Sequence, residues 1–215
     1  PQRLRGIATL CVPYEMPLAG GADALPSQLY ADIARQHFFH MHYYQQVGVA
    51  EASCAGRERE VLGKLFWALC ADGEVLAWED YPAEGTHYVD VLAEPPAPPP
   101  WSWLSAEDFD YYVAEYLCAG PVLTFIGGIN SYRAMDYNWR LFRDSAHAPV
   151  TIPALFVGGR EDPVVKMGSE SEFDHMRALV QDLRGLELLE GAGHFIQQES
   201  PQAVNRELLT FLDSL

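Results

Sequence analysis

Two residues of a type that can move protons stand out in the 215-residue chain, and both lie in glycine-rich loops that follow apolar runs. Asp162 sits in Gly158-Gly159-Arg160-Glu161-Asp162-Pro163, just past the run Pro153-Ala154-Leu155-Phe156-Val157. His194 sits in Gly191-Ala192-Gly193-His194-Phe195, just past Leu186-Glu187-Leu188-Leu189. An Asp turned toward a His fixes the imidazole tautomer and leaves the second ring nitrogen free to act as a general base. Taken singly, each residue has a plainer role, Asp162 capping a turn before Pro163 and His194 standing as a loop residue. Their arrival on consecutive strand ends favours the chemical reading.

The elements that must carry them follow from periodicity. Leu4-Arg5-Gly6-Ile7-Ala8-Thr9-Leu10-Cys11-Val12, stopped by Pro13, reads as a strand buried on both faces of a parallel sheet, and the runs at 153–157 and 186–189 read as two more. Between those two, Phe173, Met176, Leu179, Val180 and Leu183 fall on one face of an amphipathic helix. The closing helix starts at Ser200-Pro201, an N-cap followed by Pro at the first helical position, with Val204, Leu208, Phe211, Leu212 and Leu215 on its stripe. Strand, helix, strand, helix is the rhythm of a parallel α/β sheet, where catalytic groups collect at the carboxyl ends of the strands. Asp before His is also the order of the last two members of an α/β-hydrolase triad.

Residues 14–150 break that rhythm. They read as an inserted helical cap with linkers, dividing the chain into core strand 1–13, cap 14–150 and C-terminal core 151–215. Ser105-Ala106-Glu107-Asp108 has the form of a capping box, followed by Phe109, Tyr112, Val113, Tyr116 and Leu117 on a helix face. Pro95-Pro96-Ala97-Pro98-Pro99-Pro100 is suited only to an extended linker.

Composition narrows the partners. Thirty acidic against 14 basic residues give a formal charge of -16, which repels phosphate backbones and anionic lipid surfaces, so neither nucleic acid nor membrane is expected. Cys11, Cys54, Cys70 and Cys118 show no metal-binding or disulfide spacing; a reduced cytoplasmic setting fits, with no metal and no cofactor. The first residue is Pro with no Met before it, and the opening reads as the middle of a fold, so an upstream segment is expected.

The segment Gly191-Ala192-Gly193-His194-Phe195-Ile196-Gln197-Gln198-Glu199-Ser200-Pro201 with Val204-Asn205 resembles the His-bearing part of soluble epoxide hydrolases. So do Gln46-Val47-Gly48-Val49-Ala50-Glu51, Phe109-Asp110-Tyr111-Tyr112-Val113, and Gly128-Ile129-Asn130-Ser131-Tyr132-Arg133 with Asn138-Trp139, all in family order. The resemblance implies the C-terminal portion of an α/β-hydrolase, with water and a small apolar epoxide as substrates. A carboxylate opens the epoxide to an ester, and a His-activated water hydrolyses that ester to a vicinal diol. It assigns His194 as general base, Asp162 as its orienting partner and Tyr132 as a cap phenol that supports the departing alkoxide. A buried aromatic with a satisfied hydroxyl is the alternative for Tyr132.

Two departures from the family follow. His40, in Phe38-Phe39-His40-Met41-His42-Tyr43-Tyr44, stands where the second cap tyrosine is expected; either its imidazole replaces the phenol or Tyr43 or Tyr44 takes the role. The nucleophile elbow and oxyanion loop are not found: there is no G-x-S-x-G and no His-Asp-x-Gly, and Gly168-Ser169-Glu170-Ser171 lacks the second glycine. The nucleophile is therefore expected from an N-terminal half outside this chain, without which the chain is inactive. Phe39, Met41, Trp139 and Phe195 are the candidate apolar pocket, with core packing as their alternative. A haloacid or haloalkane dehalogenase, or a non-catalytic truncated relative, are the competing readings, and a homodimer is compatible with all of them.

Overall fold

The computed structural model describes residues 3–13, 24–74, 78–118, 120, 123–145, 148–167 and 170–215. Three parallel strands, β1 (Ile7–Leu10), β2 (Ala154–Gly159) and β3 (Leu183–Leu189), form one sheet in the order β1-β2-β3. β2 pairs with β1 from Ile7–Ala154 to Leu10–Val157 and with β3 from Ala154–Leu183 to Gly159–Leu189. Among the described residues every element between β1 and β2 is helical: α1 (Pro26–Ala34), α2 (His40–Tyr43), α3 (Val49–Cys54), α4 (Glu58–Leu69), α5 (Tyr88–Val91), α6 (Ala106–Leu117), α7 (Ile126–Arg133) and α8 (Met135–Phe142), with short 3-10 turns at Trp78–Asp80 and Arg143–Ser145. Beyond β2 come α9 (Pro163–Met167) and α10 (Glu170–Leu179), and beyond β3 come α11 (Ile196–Glu199) and α12 (Pro201–Asp213).

β2 is buried along its whole length because its side chains alternate between two cores. Leu155 and Val157 pack with Cys11, Ala192, Ile196, Val204 and Phe211. Ala154 and Phe156 pack with Phe173, Met176 and Val180. Helices therefore cover both faces of the sheet, as a βαβ crossover requires.

Several sequence expectations shift by a few residues. β1 is shorter than the apolar run, with Leu4 and Val12 exposed, and it is only half-buried, since among the described residues it pairs with β2 alone. Leu183 belongs to β3 and not to the face of α10, because the chain leaves the helix after Leu179 and Val180 bridges Val150. Ser200 is the N-cap of α12 and Pro201 its first residue, but the Ser200 side chain caps nothing. On α12 Leu212 points to solvent, and on α6 burial stops at Val113, leaving Tyr116 and Leu117 exposed. Ser105 does cap α6, accepting from the Asp108 backbone N–H at 3.0 Å, while its hydroxyl donates to Asp108 Oδ2 at 2.6 Å. Residues 95–100 lie in neither helix nor strand. Gly168 and Ser169 of the superficially suggestive Ser segment lie outside the described residues.

Phe156, fully buried in the central strand, reports on this sheet. Phe156→Ala is expected to lower stability by about 3–5 kcal/mol, read by denaturant unfolding.

Candidate active site

The loops after β2 and β3 are joined before any side chain contributes. Arg160 donates its backbone N–H to Leu189 O at 3.0 Å, and Glu161 donates to Ala192 O at 3.0 Å. This approach needs glycine at 159, where a Cβ would stand 2.2 Å from the carbonyl oxygens of Ala192 and Gly193. Asp162 is thereby sealed from solvent. Its Oδ1 accepts from the Val164 backbone N–H at 2.8 Å and its Oδ2 from His194 Nδ1 at 2.9 Å. One carboxylate thus fills both roles weighed from the sequence, turn cap and imidazole partner. With Nδ1 donating to Asp162, Nε2 is the basic nitrogen.

The His194 main chain is held as firmly as its ring. Its N–H donates to Leu69 O at 2.8 Å, from the end of α4, and its carbonyl accepts from Cys11 Sγ at 2.7 Å, from the end of β1. Burial pushes the Cys11 thiol up to about 11, so it remains a neutral donor at neutral pH. Ligand-type atoms of Cys11, Asp162 and His194 lie within 4.8 Å of one another. A cation there would need the thiolate and an unprotonated Nδ1, whereas the thiol donates to a carbonyl and Nδ1 donates to Asp162. The donor set fits a hydrogen-bonded triad and not a metal centre.

His40 and Tyr132 meet in the helical layer, their ring centroids 5.7 Å apart. Trp78 lies 4.4 Å from His40, and Phe39, Tyr44 and Tyr88 complete an aromatic surround. Burial lowers the His40 imidazole to about 3, so it is neutral across the physiological range, and the same cause raises the Tyr132 and Tyr44 phenols above their ordinary value. His40 Nδ1 and Trp78 Nε1 are buried without a hydrogen-bond partner among the described residues. Tyr43 turns elsewhere: its hydroxyl lies 2.8 Å from Ser53 Oγ and 3.2 Å from His87 Nδ1. Of the two tyrosines weighed against His40, only Tyr44 faces Tyr132, at 5.0 Å.

An ion pair holds this cluster together. Arg133, next to Tyr132, donates through Nη1 to Glu51 Oε1 at 2.6 Å and through Nη2 to Glu51 Oε2 at 3.1 Å, while its Nε reaches Tyr44 O at 2.7 Å. Gln45 Nε2 adds a bond to Tyr132 O at 3.2 Å. Arg133 and Glu51 stand in two of the segments that carry the family resemblance, but they are 82 residues apart and no spacing betrays their pairing. Cys11 lies in the first apolar run, Glu199 in the His194 segment and Trp78 in no such segment, and no local pattern marks the contacts that any of them makes.

The candidate pocket residues disperse. Phe39 packs against His40 and Tyr30 and lines a cavity of about 300 Å³ with Phe38, His42, Tyr43 and His87 that touches neither functional pair. Met41 is half-buried, and its carbonyl accepts from Gln45 Nε2 at 2.9 Å. Trp139 is buried with Arg143 over its ring, and Phe195 stacks on Trp103 beside Phe66. Among the described residues no hydrogen bond or ring contact joins Asp162–His194 to His40–Tyr132.

No family model matches the chain. Over 214 residues it is 32% identical to epoxide hydrolase A of Mycobacterium tuberculosis (strain ATCC 25618 / H37Rv), an alignment spanning 99% of this chain and 62% of that protein. Epoxide hydrolase 1 of Siraitia grosvenorii is 29% identical over 217 residues, spanning 99% of this chain and 63% of that protein. The crystal structure of epoxide hydrolase A from Mycobacterium thermoresistibile superposes with a TM-score of 0.80 at 35% identity, over 98% of this chain and 62% of that one. The chain therefore spans less than two thirds of the length of these relatives.

The Arg133 hydrogen bond holds the Glu51 carboxyl below the usual carboxylate range. Its contribution to stability is complete above the unfolded-state pKa of about 4.3 and is lost as pH falls through the lower native value. Glu51→Gln should flatten that acid limb in pH-dependent unfolding. Arg133→Met, which leaves the buried Glu51 carboxylate with the Gly48 amide but without its counter-charge, should cost about 3–5 kcal/mol at neutral pH.

Proposed function

We propose, from its homology to the C-terminal part of epoxide hydrolases of the α/β-hydrolase fold, that this chain belongs to an enzyme that hydrolyses small apolar epoxides to vicinal diols through an ester intermediate. The observation that carries the proposal is the 2.9 Å bond from His194 Nδ1 to the buried Asp162, which orients an imidazole with Nε2 as its basic atom. The nucleophilic carboxylate is assigned to a segment outside these 215 residues, so this piece alone is inactive. Residues 14–150 act as the cap over the core formed by 1–13 and 151–215.

In the first step the carboxylate attacks an epoxide carbon, the C–O bond breaks, and the oxygen takes up negative charge. Tyr132 supplies a proton to that oxygen, since burial keeps its phenol protonated. His40 assists as a neutral hydrogen-bond donor, with Tyr44 as the alternative second donor. In the second step His194 Nε2 removes a proton from water, and the resulting hydroxide attacks the ester carbonyl. Collapse passes the acid proton to the departing alkoxide to release the diol and restore the carboxylate, and the imidazolium proton returns through solvent to the Tyr132 phenolate. Asp162 stabilises the imidazolium formed on the way. Of the four candidate pocket residues, Phe39 beside His40 and Phe195 beside His194 are assigned to the apolar surroundings of the substrate, and Met41 and Trp139 to the packing around them.

No described helix is long and apolar enough to cross a membrane. The four cysteines are free, which supports a reduced, cytoplasmic setting, and a homodimer is compatible with the reading. A halogenated substrate would call on the same carboxylate, His and Asp. Halide release exceeding diol formation would transfer the assignment to a dehalogenase.

In the full-length polypeptide, His194→Gln should form the ester, seen as a mass increase equal to that of the epoxide, and hydrolyse it about 10²–10⁴-fold more slowly. Absence of diol from the wild type across a panel of epoxides would overturn the proposal. With a His40 value of about 3, the ring-opening rate should show no inflection from His40 between pH 5 and 8.

A further inference from the structure

Glu199 belongs to neither pair, yet its carboxylate gathers the backbone on both sides of His194. Oε2 accepts from Gly193 N at 3.0 Å and from Ala71 N at 2.8 Å, and Oε1 accepts from Phe195 N at 2.9 Å. The residues immediately before and after the imidazole are thus held by one anion. The third donor, Ala71, comes from the turn after α4, the same turn whose Leu69 carbonyl accepts from His194 N. That turn lies against the loop without intervening side chains, since a Cβ on Gly193 would come within 2.4 Å of Ala71 N and of the Cys70 carbonyl carbon.

We infer that Glu199 is a positioning residue for His194, fixing the imidazole by clamping both neighbouring amides and tying that loop, through Ala71, to the helical layer. The inference deepens the proposed function and rests on His194 being its general base. A carboxylate has the lone pairs to accept all three N–H groups, and charge assistance makes each bond stronger than a neutral one. A glutamine has one acceptor oxygen and one NH₂. Placed with its oxygen at the Oε2 position it opposes the Phe195 N–H; flipped, it opposes both Gly193 and Ala71. An isosteric Glu199→Gln change therefore breaks the clamp in either orientation. Aspartate keeps the charge but is one methylene too short to reach all three donors.

The test uses the full-length polypeptide with Glu199→Gln and Glu199→Asp. In both variants the Nδ1 proton of His194, followed by NMR, should exchange with solvent about tenfold faster, and ester hydrolysis should slow about tenfold with ring opening unchanged. A purely structural residue would lower the melting temperature without dividing the two chemical steps. Wild-type behaviour of a folded Glu199→Gln variant in both readouts would overturn the inference, as would full recovery in Glu199→Asp, which would mean that charge alone acts. If the wild type proves inert toward epoxides, the reaction assignment fails, and Nδ1 exchange still decides whether Glu199 positions His194. If neither variant folds, amide exchange in the wild type decides: Gly193, Phe195 and Ala71 should be protected together, and free exchange at any one of them would sink the clamp.

Discussion

A buried carboxylate cannot stay charged and unpartnered, and the two loops at the carboxyl ends of β2 and β3 are arranged around that constraint. Asp162 is sealed from solvent because Arg160 and Glu161 bond to the neighbouring loop and because Gly159 lets the two backbones touch. Its charge is then met by the Val164 amide and the His194 ring. Burial and orientation are one arrangement here: the same contacts that exclude water also leave a single hydrogen-bonding direction for the imidazole. In a site of low local dielectric, that fixed bond is stronger than the same bond in water.

The helical layer follows a different logic. Around His40 and Tyr132 burial acts on neutral groups, keeping the imidazole unprotonated and the phenols protonated. The cluster therefore presents uncharged groups only, a neutral imidazole beside protonated phenols. Formal charge is kept outside the ring cluster, in the Arg133–Glu51 pair that fastens α7 to the α2–α3 turn. Buried ion pairs are weak sources of stability, but they impose a geometry, and the geometry imposed here is the approach of Tyr132 to Tyr44 and His40.

Sheet and helical layer meet where β-sheet chemistry is least able to help, at a loop and a helix end whose backbone groups need partners. Leu69, Ala71, Gly193, His194 and Phe195 solve this together, with the Glu199 carboxylate supplying the acceptors that the main chain lacks. Cys11 closes the arrangement from the β1 side through the His194 carbonyl. The imidazole is consequently anchored from three directions by groups distant in the chain.

Periodicity made β2, β3, α6, α10 and α12 legible, because side-chain alternation and helical spacing are local properties of the chain; the errors fell at their ends, as with Leu183 and Leu212, where neighbouring elements decide which residue is covered. Asp162 and His194 were legible for the same reason, each being a short step beyond a strand, and the family resemblance placed Tyr132 and His40 with them. What the residue order could not disclose were contacts between distant segments: Arg133 with Glu51, Cys11 with His194, Glu199 with Ala71. The sequence by itself determined the α/β class and the residue types able to do the chemistry. Tertiary structure alone decided that Asp162 loses all contact with water, that His40 stays neutral and that Tyr43 turns away, because burial and hydrogen-bond direction depend on packing between elements that no local pattern encodes.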